Sequence, residues 1–287
     1  MQEYGRGYRV KPVGIQPEPA GAGLGKDLCE RFSVTRISRQ GRREVEKEIV
    51  REVPLTIFVN GREIVTLLTV HKGFDALALG FLYCEGWIRD RSVIDDVRVD
   101  PEAGAVRVEL REAPILAERF VGKRLVPSSC GRATSFYNVV DSIHCRPVVS
   151  DFRLPWVRIL EWMEEMLRSA ALYRATRCTH SVALYGEQGR VYLEEDIGRH
   201  NGLDRVVGRC LLEDRSAGRC ALLLTGRLSS EVVIKAARLG VPILVSRSAP
   251  TSLALGLGNQ LSMTLVAYVR GGAMNVYTHG WRILTGE

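Results

Sequence analysis

The chain has 287 residues, of which 46% are hydrophobic and 25% are charged, as is ordinary for a globular protein with a buried core. The formal net charge of +7 favours anionic partners such as nucleotides, phosphorylated cofactors or acidic protein surfaces. No block of like charges forms a basic tail, so we expect no nucleic-acid partner. No apolar run is long enough to cross a membrane, and the N-terminus has no apolar signal core. We therefore expect a cytoplasmic protein whose seven cysteines are reduced.

The first part of the chain predicts an arm followed by a small α+β domain. Residues 1–45 are rich in Gly, Pro and Arg and predict a flexible N-terminal arm. Asn60-Gly61, between "LTIFV" and "REIVTLLTV", is typical of a type I′ hairpin turn. The segment "FDALALGFLYCEGWI" has apolar residues at helical spacing, and a second hairpin is expected around residues 101–104. We place this domain at residues 46–118.

The second domain, residues 119–287, is predicted to be larger and of the α/β class. "WVRILEWMEEMLRSAALYRAT" predicts one long helix, and "HSVALY" and "RVYLEED" predict paired strands. Buried strands "CALLLTG", "VPILVS" and "MTLVAYV" then alternate with helices, of which "SSEVVIKAARLG" has Ser229 as its expected N-cap and Gly240 as its expected C-terminal stop. This alternation favours a mostly parallel sheet covered on both faces.

Three polar segments follow these strands, "TGRLSS", "SRSAPTS" and "RGGAMNVYTHG". Ligands of such sheets bind beyond the carboxyl ends of the strands, and helix N-termini with hydroxyls and arginines bind phosphate groups. The candidate anion contacts are Arg227, Ser229, Arg247 and Ser248. The alternative is that the serines only cap helices and the arginines lie in solvent. The chain has no Walker-type loop and no G-x-G-x-x-G motif, which argues against a nucleoside triphosphatase or a dinucleotide dehydrogenase.

A charged segment, "EEDIGRHNGLDR", spans residues 194–205 at a predicted strand-to-helix junction. Arg199 and His200 are candidate functional residues, since an imidazole can move protons near neutral pH. The alternative is that Asp196 caps the helix and that Asp204 and Arg205 form a solvated face. His180, at the start of a strand, is a further candidate, with the alternative that it only satisfies a backbone group.

Cys130 is the candidate nucleophile. In "SSCGR" a glycine exposes the sulfur, and Arg132 supplies a positive charge that favours the thiolate. Cysteines 84, 145, 178, 210 and 220 lie in or beside apolar periodic segments, so we expect them to be packing residues. No Cys-x-x-Cys pair occurs in the chain, and we expect no metal site.

Four motifs, in this order, carry a resemblance to a known family: "PSSCG", "EDIGRHNGLDRVVG", "LLLTGRLSSEVVIKAARLGVPILVSRSAPTSLAL" and "RGGAMNVYTH". Together with the upstream "PLTIFVNGREIVTLLTVHKGFDALALGFLYCEGWI", they resemble the FdhD family of formate dehydrogenase accessory sulfurtransferases. The resemblance covers roughly residues 50–284.

The resemblance implies a sulfurtransferase that accepts persulfide sulfur from a cysteine desulfurase. It implies that the sulfur passes to the molybdenum or tungsten bis(molybdopterin guanine dinucleotide) cofactor of formate dehydrogenase. It also implies a homodimer and a cytidine-deaminase-like, three-layer α/β main domain. The sulfur carrier maps onto Cys130, with Arg132, Arg199 and His200 as supporting candidates. The cofactor segment, which a GDP- or GMP-like nucleotide would also occupy, maps onto Tyr268, Val269, Arg270, Gly271, Gly272 and Ala273.

The chain departs from the family pattern at Ala133, where many members carry a second cysteine. A single persulfide-carrying cysteine still suffices if an external reductant or the metal centre resolves the persulfide. The alternative function is a non-catalytic chaperone that binds the cofactor and delivers it to formate dehydrogenase. A zinc deaminase is excluded, because its H-x-E and P-C-x-x-C motifs are absent from the sequence.

Overall fold

The computed structural model describes residues 8–9, 27–111 and 145–286 of the chain, which form a mixed α/β structure. The described strands, in chain order, are β1 (Tyr8–Arg9), β2 (Cys29–Ser38), β3 (Gly41–Val50), β4 (Glu52–Val59), β5 (Arg62–Val70), β6 (Ile94–Asp100), β7 (Ala105–Leu110), β8 (Leu154–Pro155), β9 (His180–Gly186), β10 (Gly189–Asp196), β11 (Ala221–Leu224), β12 (Ile243–Ser246), β13 (Thr264–Arg270), β14 (Ala273–Val276) and β15 (Ile283–Leu284). The described α-helices are α1 (Phe74–Cys84), α2 (Trp156–Ser169), α3 (Ala171–Thr176), α4 (Arg199–Leu212), α5 (Ser230–Leu239) and α6 (Ser252–Gln260), and single 3-10 turns span Arg91–Val93 and Gly280–Arg282.

Strands β2 and β3 form an antiparallel hairpin in which Cys29 pairs with Val50 and Ser38 pairs with Gly41. The sequence predicted a flexible arm through residue 45, so this prediction is wrong for residues 29–45. Almost every residue of both strands is exposed or half-buried, on either face of the hairpin. Because neither face is buried, the hairpin has no hydrophobic alternation that would have marked it in the sequence.

A five-stranded sheet of order β1-β6-β7-β4-β5 holds the first hydrophobic core together with α1. The predicted turn between β4 and β5 is confirmed, because Asn60 and Gly61 have φ angles of 47° and 74°. The Asn60 side chain also accepts a hydrogen bond from the amide of Leu110, at 2.7 Å. The second predicted hairpin is confirmed as β6 and β7.

A six-stranded sheet of order β10-β9-β11-β12-β13-β14 forms the second part of the structure. Only β11, β12 and β13 run parallel to one another, while β9, β10 and β14 pair antiparallel to their neighbours. The prediction of a mostly parallel sheet is therefore wrong, and the sheet is mixed. The physical reason is that tight turns, rather than crossover helices, join β9 to β10 and β13 to β14.

Hydrophobic residues cover both faces of the six-stranded sheet, as predicted. One face packs against α4, α5 and α6, and the other packs against α2. The cytidine-deaminase-like layering and the division of the rest of the chain into two domains stay predictions.

The predicted long helix is broken at Ala170 into α2 and α3. The carboxylate of Glu195, on β10, accepts hydrogen bonds from the amides of Leu172 and Tyr173 at 3.0 and 2.7 Å. These amides therefore begin a new helix instead of continuing the first, because a free helix start needs an acceptor.

Helices α1 and α4 cross with their backbones in contact. A Cβ atom placed on Gly80 would overlap the backbone carbonyl of Asp204, and one placed on Gly208 would overlap the carbonyl of Ala76. Glycine is therefore required at both positions, since any side chain would force the two helices apart. This crossing joins the first core to the second.

Two buried ion pairs lie beside the crossing. Arg205 is 0% exposed and lies 2.9 Å from Asp196, whose carboxylate also accepts a hydrogen bond from Thr69 on β5 at 2.5 Å. Asp204 is 1% exposed and receives two hydrogen bonds of 2.8 Å from the ammonium of Lys235. The alternative reading of Asp204 and Arg205 as a solvated face is therefore wrong. Removal of one partner from such a pair costs about 3–5 kcal/mol, because the other charge stays buried.

We predict that Gly208→Ala destabilises the protein by about 3 kcal/mol, even though alanine has the higher helix propensity. The matched control is Gly256→Ala on α6, where a Cβ atom would have no neighbour within 4 Å. There the expected change is a gain of about 0.5–1 kcal/mol. Urea unfolding measures the change in the free energy of unfolding of each variant. Equal changes in the two variants would contradict the close crossing of α1 and α4.

Candidate functional site

The candidate nucleophile Cys130 and its neighbour Arg132 lie outside the described residues, as does Ala133. The described part of the candidate site is the edge of the six-stranded sheet at the carboxyl ends of β11, β12 and β13. The cofactor segment and all four candidate anion contacts lie on this edge, as predicted from the strand pattern.

Hydrogen bonds connect the three loops of this edge into one surface. The amide of Arg247 donates to Leu224 at 3.1 Å, and the amide of Tyr268 donates to Ser248 at 3.2 Å. The buried hydroxyl of Ser246 donates to the carbonyl of Gly226 at 2.6 Å and accepts the amide of Ser248 at 2.8 Å. The loops therefore hold one another in place, and side chains that they carry have fixed relative positions.

Four arginines of this edge have no carboxylate partner among the described residues: Arg199, Arg227, Arg247 and Arg270. Some arginines elsewhere in the described chain do form ion pairs, for example Arg98 with Asp96 at 2.8 Å and Arg219 with Glu187 at 2.7 Å. The Nε atom of Arg199 is fully buried and has no hydrogen-bond partner in the described structure. Unbalanced positive charge at one edge forms a site for an anion.

The predicted cofactor segment spans the end of β13, the Gly271-Gly272 turn and the first residue of β14, and this segment is called the Tyr268 loop below. Tyr268, Gly271 and Gly272 all have positive φ angles, of 55°, 60° and 74°. The guanidinium of Arg270 lies 5.5 Å from the centre of the Tyr268 ring, which is 36% exposed. A tyrosine and an arginine side by side on a tight loop can stack on a planar base. Val269 is only 1% exposed and packs in the core, so its side chain anchors the loop.

Of two hydroxyl side chains at helix starts on this edge, Thr251 caps its helix and Ser229 does not. Thr251 caps α6 by accepting the amide of Ala254 at 3.3 Å. Ser229 occupies the predicted N-cap position of α5, but its side chain makes no capping hydrogen bond, and its buried hydroxyl has no partner among the described residues. The alternative that the serines only cap helices therefore does not hold for Ser229.

His200, on the first turn of α4, lies 3.1 Å from the carboxylate of Glu231 on the first turn of α5. Burial, followed by the positive charges of Lys235 and Arg199, lowers the pKa of His200 to about 3. The ring is therefore neutral at neutral pH, and its Nε2 atom is in contact with the carboxylate of Glu231. This geometry makes His200 a link between two helix N-termini. The sequence reasoning missed Glu231, because nothing in the sequence places it opposite His200.

The cysteines of the described chain differ in exposure. Cys84, Cys210 and Cys220 are buried, as predicted, and burial raises the pKa of each thiol. Cys178 is exposed, so its prediction as a packing residue is wrong. It follows the short helix α3 rather than lying inside a strand.

No group of three or more His, Cys, Asp or Glu side chains in the described residues is arranged to hold a metal ion. Among the helices that the structure describes, none has the length and hydrophobicity needed to cross a membrane.

These features define a mixed α/β protein with an arginine-lined, glycine-rich edge on its six-stranded sheet. Comparison with known proteins agrees on a narrower group. Residues 50–284 match the model of the FdhD/NarQ family. The chain belongs to this family.

Individual relatives match along most of their length. A protein of Geobacillus kaustophilus named "Sulfur carrier protein FdhD" is 39% identical over 243 residues, covering 85% of this chain and 92% of the relative. A protein of the same name from Bacillus subtilis is 37% identical over 240 residues, covering 84% and 92%. A crystal structure from Desulfotalea psychrophila, named as a "putative formate dehydrogenase accessory protein", aligns with a TM-score of 0.74 and 30% identity, over 90% of this chain and 100% of that one.

The neutral state of His200 predicts a pH dependence of stability. The unfolded chain binds a proton at this residue below about pH 6.5, while the folded chain does not until about pH 3. The stability that wild type has over His200→Gln should therefore shrink as the pH falls between these values, by at most about 1.4 kcal/mol per pH unit. Urea unfolding of both proteins at several pH values measures the difference. A difference that stays constant below pH 6.5 would show that His200 titrates normally.

Proposed function

We propose that this protein is a sulfurtransferase that carries persulfide sulfur from a cysteine desulfurase to the guanine-dinucleotide form of the molybdenum or tungsten cofactor of formate dehydrogenase. The observation that carries the cofactor half of the proposal is the edge of three hydrogen-bonded loops with four arginines that lack carboxylate partners among the described residues. The names of the relatives, "Sulfur carrier protein FdhD", support the part of the proposal that concerns sulfur transfer.

The edge suits a ligand with a flat base and phosphate groups. Tyr268 and Arg270 offer a surface for stacking, and Gly271 and Gly272 let the backbone approach the ligand closely. Arg227 and Arg247, on the neighbouring loops, supply charge for phosphate oxygens. The bis(molybdopterin guanine dinucleotide) cofactor has both of these parts, and a GDP- or GMP-like nucleotide has them as well.

The sulfur chemistry needs one thiolate. The Cys130 thiolate attacks the terminal sulfur of the donor persulfide, the donor's sulfur–sulfur bond breaks, and the donor cysteine leaves as a thiolate. Cys130 then holds the sulfur as a persulfide. In the second step that terminal sulfur passes to the bound cofactor as sulfide, and Cys130 leaves as a thiolate. The second step consumes two electrons, which are supplied by the metal or by an external dithiol that is oxidised to a disulfide.

Ala133 bears on the second step only. Where a second cysteine is present, its thiol can attack the persulfide and release sulfide while a disulfide forms. With alanine at this position, the two electrons must come from outside the loop. Arg132 and Arg199 remain candidates for stabilising the thiolate by their positive charge, whereas a neutral His200 adds no charge. The homodimer, the two protein partners and the cytoplasmic location belong to this proposal.

The alternative is a chaperone that binds and delivers the cofactor without carrying sulfur, and Ala133 is the observation in its favour. The two functions share the anion site at the sheet edge. They differ in whether Cys130 carries a sulfur atom.

We predict that the protein gains one sulfur atom when it is incubated with a cysteine desulfurase and cysteine, and that a reductant reverses the gain. Intact-mass spectrometry measures it. Cys130→Ala should show no gain, because the attacking thiolate is absent.

The matched control is Cys178→Ala, which removes the exposed thiol of the described chain and should leave the gain intact. No gain in the wild-type protein, with guanine nucleotide still bound, would replace the sulfurtransferase proposal with the chaperone. A gain that depends on Cys178 instead would move the carrier to that residue.

A further inference from the structure

His180 and Arg199 lie together at the β11 end of the arginine-lined edge. His180 begins β9, which pairs with β11, and the amide of Thr225 donates to the neighbouring Ser181 at 3.0 Å. The side chain of Arg199 lies against Gly226, where a Cβ atom would come within 3.1 Å of it. Strand pairing and a close backbone approach therefore bring the imidazole and the guanidinium to one place.

The Thr225 hydroxyl lies between His180 and the backbone of Ser181. Its oxygen accepts the amide of Ser181 at 3.1 Å, and Nδ1 of His180 lies 3.4 Å away. The subsite proposed below takes Nδ1 as the acceptor of the hydroxyl proton, which places the proton of the neutral ring on Nε2. Burial, followed by the positive charge of Arg199, lowers the pKa of His180, which keeps the ring neutral.

The two side chains thus offer donors that nothing in the described structure uses. No described residue accepts a hydrogen bond from Nε2 of His180 or from the guanidinium of Arg199, whose Nε is buried. The nearest carboxylate of β10, Asp196, is already paired with Arg205. A fixed N–H group beside an uncompensated guanidinium matches the oxygens of a phosphate.

The distance along the sheet edge between Tyr268 and Arg199 indicates which phosphate of a bound nucleotide would reach Arg199. Tyr268 lies near the carboxyl end of β13, whereas Arg199 and Gly226 lie at the end of β11, two strands away. Two strand spacings are about 10 Å. This is close to the reach of a nucleoside diphosphate from its base to its second phosphate, and Arg247, after β12, lies between the two positions.

We propose that His180 and Arg199 form the subsite for the second phosphate of a guanine nucleotide whose base lies at the Tyr268 loop. This rests on the proposed function, in that it takes the edge to bind a guanine nucleotide. It assigns Arg199 to the ligand's diphosphate rather than to the thiol of Cys130. The diphosphate is either that of free GDP or the esterified diphosphate of the dinucleotide cofactor.

Calorimetric titration of the full-length protein with GMP and GDP tests the subsite. Wild type should bind GDP about 10- to 100-fold more tightly than GMP, as a charge-assisted hydrogen bond to the second phosphate would give. Arg199→Ala should bring this ratio close to one and leave GMP affinity unchanged. His180→Phe should lower the ratio about 3- to 10-fold, and His180→Gln, which keeps a donor near Nε2, should retain it.

Arg219→Ala is the matched control for charge. It removes one arginine at the opposite end of β9, where Arg219 is paired with Glu187 and Asp151. It should leave the ratio of GDP affinity to GMP affinity unchanged.

GDP-mannose, whose second phosphate is esterified, distinguishes the two sources of the diphosphate. It should bind like GDP if the site serves the dinucleotide cofactor, and more weakly if the site serves free nucleoside diphosphate.

A GDP-to-GMP ratio that is unchanged in both Arg199→Ala and His180→Phe would overturn the subsite while the nucleotide site itself stands. A wild-type ratio near one would do the same. A wild-type protein that binds neither nucleotide would instead overturn the cofactor half of the proposed function, so the two failures are distinguishable.

Discussion

The crossing of α1 and α4 at Gly80 and Gly208 is the constraint on which the rest of the structure depends. Because the two backbones touch, the first turn of α4 has one position relative to the first core. The buried pair of Asp196 and Arg205 adds a second constraint, since the same carboxylate accepts a hydrogen bond from Thr69 on β5. A close crossing and a buried ion pair are both intolerant of small shifts. Arg199, at the start of α4, is therefore held rigidly against the sheet edge.

Two buried cations of the interior have carboxylate partners, whereas the arginines of the candidate site have none among the described residues. Arg205 and Lys235 are buried, and each has a carboxylate within 2.9 Å. The arginines of the sheet edge have none in the described chain, although Arg199 is partly buried. Arg282 is also buried without a carboxylate partner in the described chain, but its guanidinium donates hydrogen bonds to Thr264 and Ser150. Under the proposed function, an anionic ligand supplies the negative charge that the arginines of the sheet edge lack.

Local backbone structure could be predicted from the sequence where one or two residue types determine the backbone conformation. Asn60-Gly61 predicted its turn, Gly240 predicted the end of α5, and the apolar runs predicted β11 and β12. Features that depend on residues distant in the chain were not readable. Glu195 divides a helical pattern by binding two amides that lie more than 20 residues away. Likewise, Asp204 and Arg205 have the composition of a solvated face, and only the crossing of α1 over α4 buries them.

The burial of three cysteines in the described chain limits which thiols could carry sulfur. A persulfide carrier needs a thiolate, and burial raises the pKa values of Cys84, Cys210 and Cys220, which also lack access to a donor. The core therefore cannot supply the second thiol that Ala133 fails to provide. Under the proposed function, sulfur on Cys130 therefore leaves by transfer to an acceptor, and not by formation of a disulfide with one of these buried cysteines. An acceptor held at a fixed place meets this need, and the rigid, arginine-lined edge is where such an acceptor would be held.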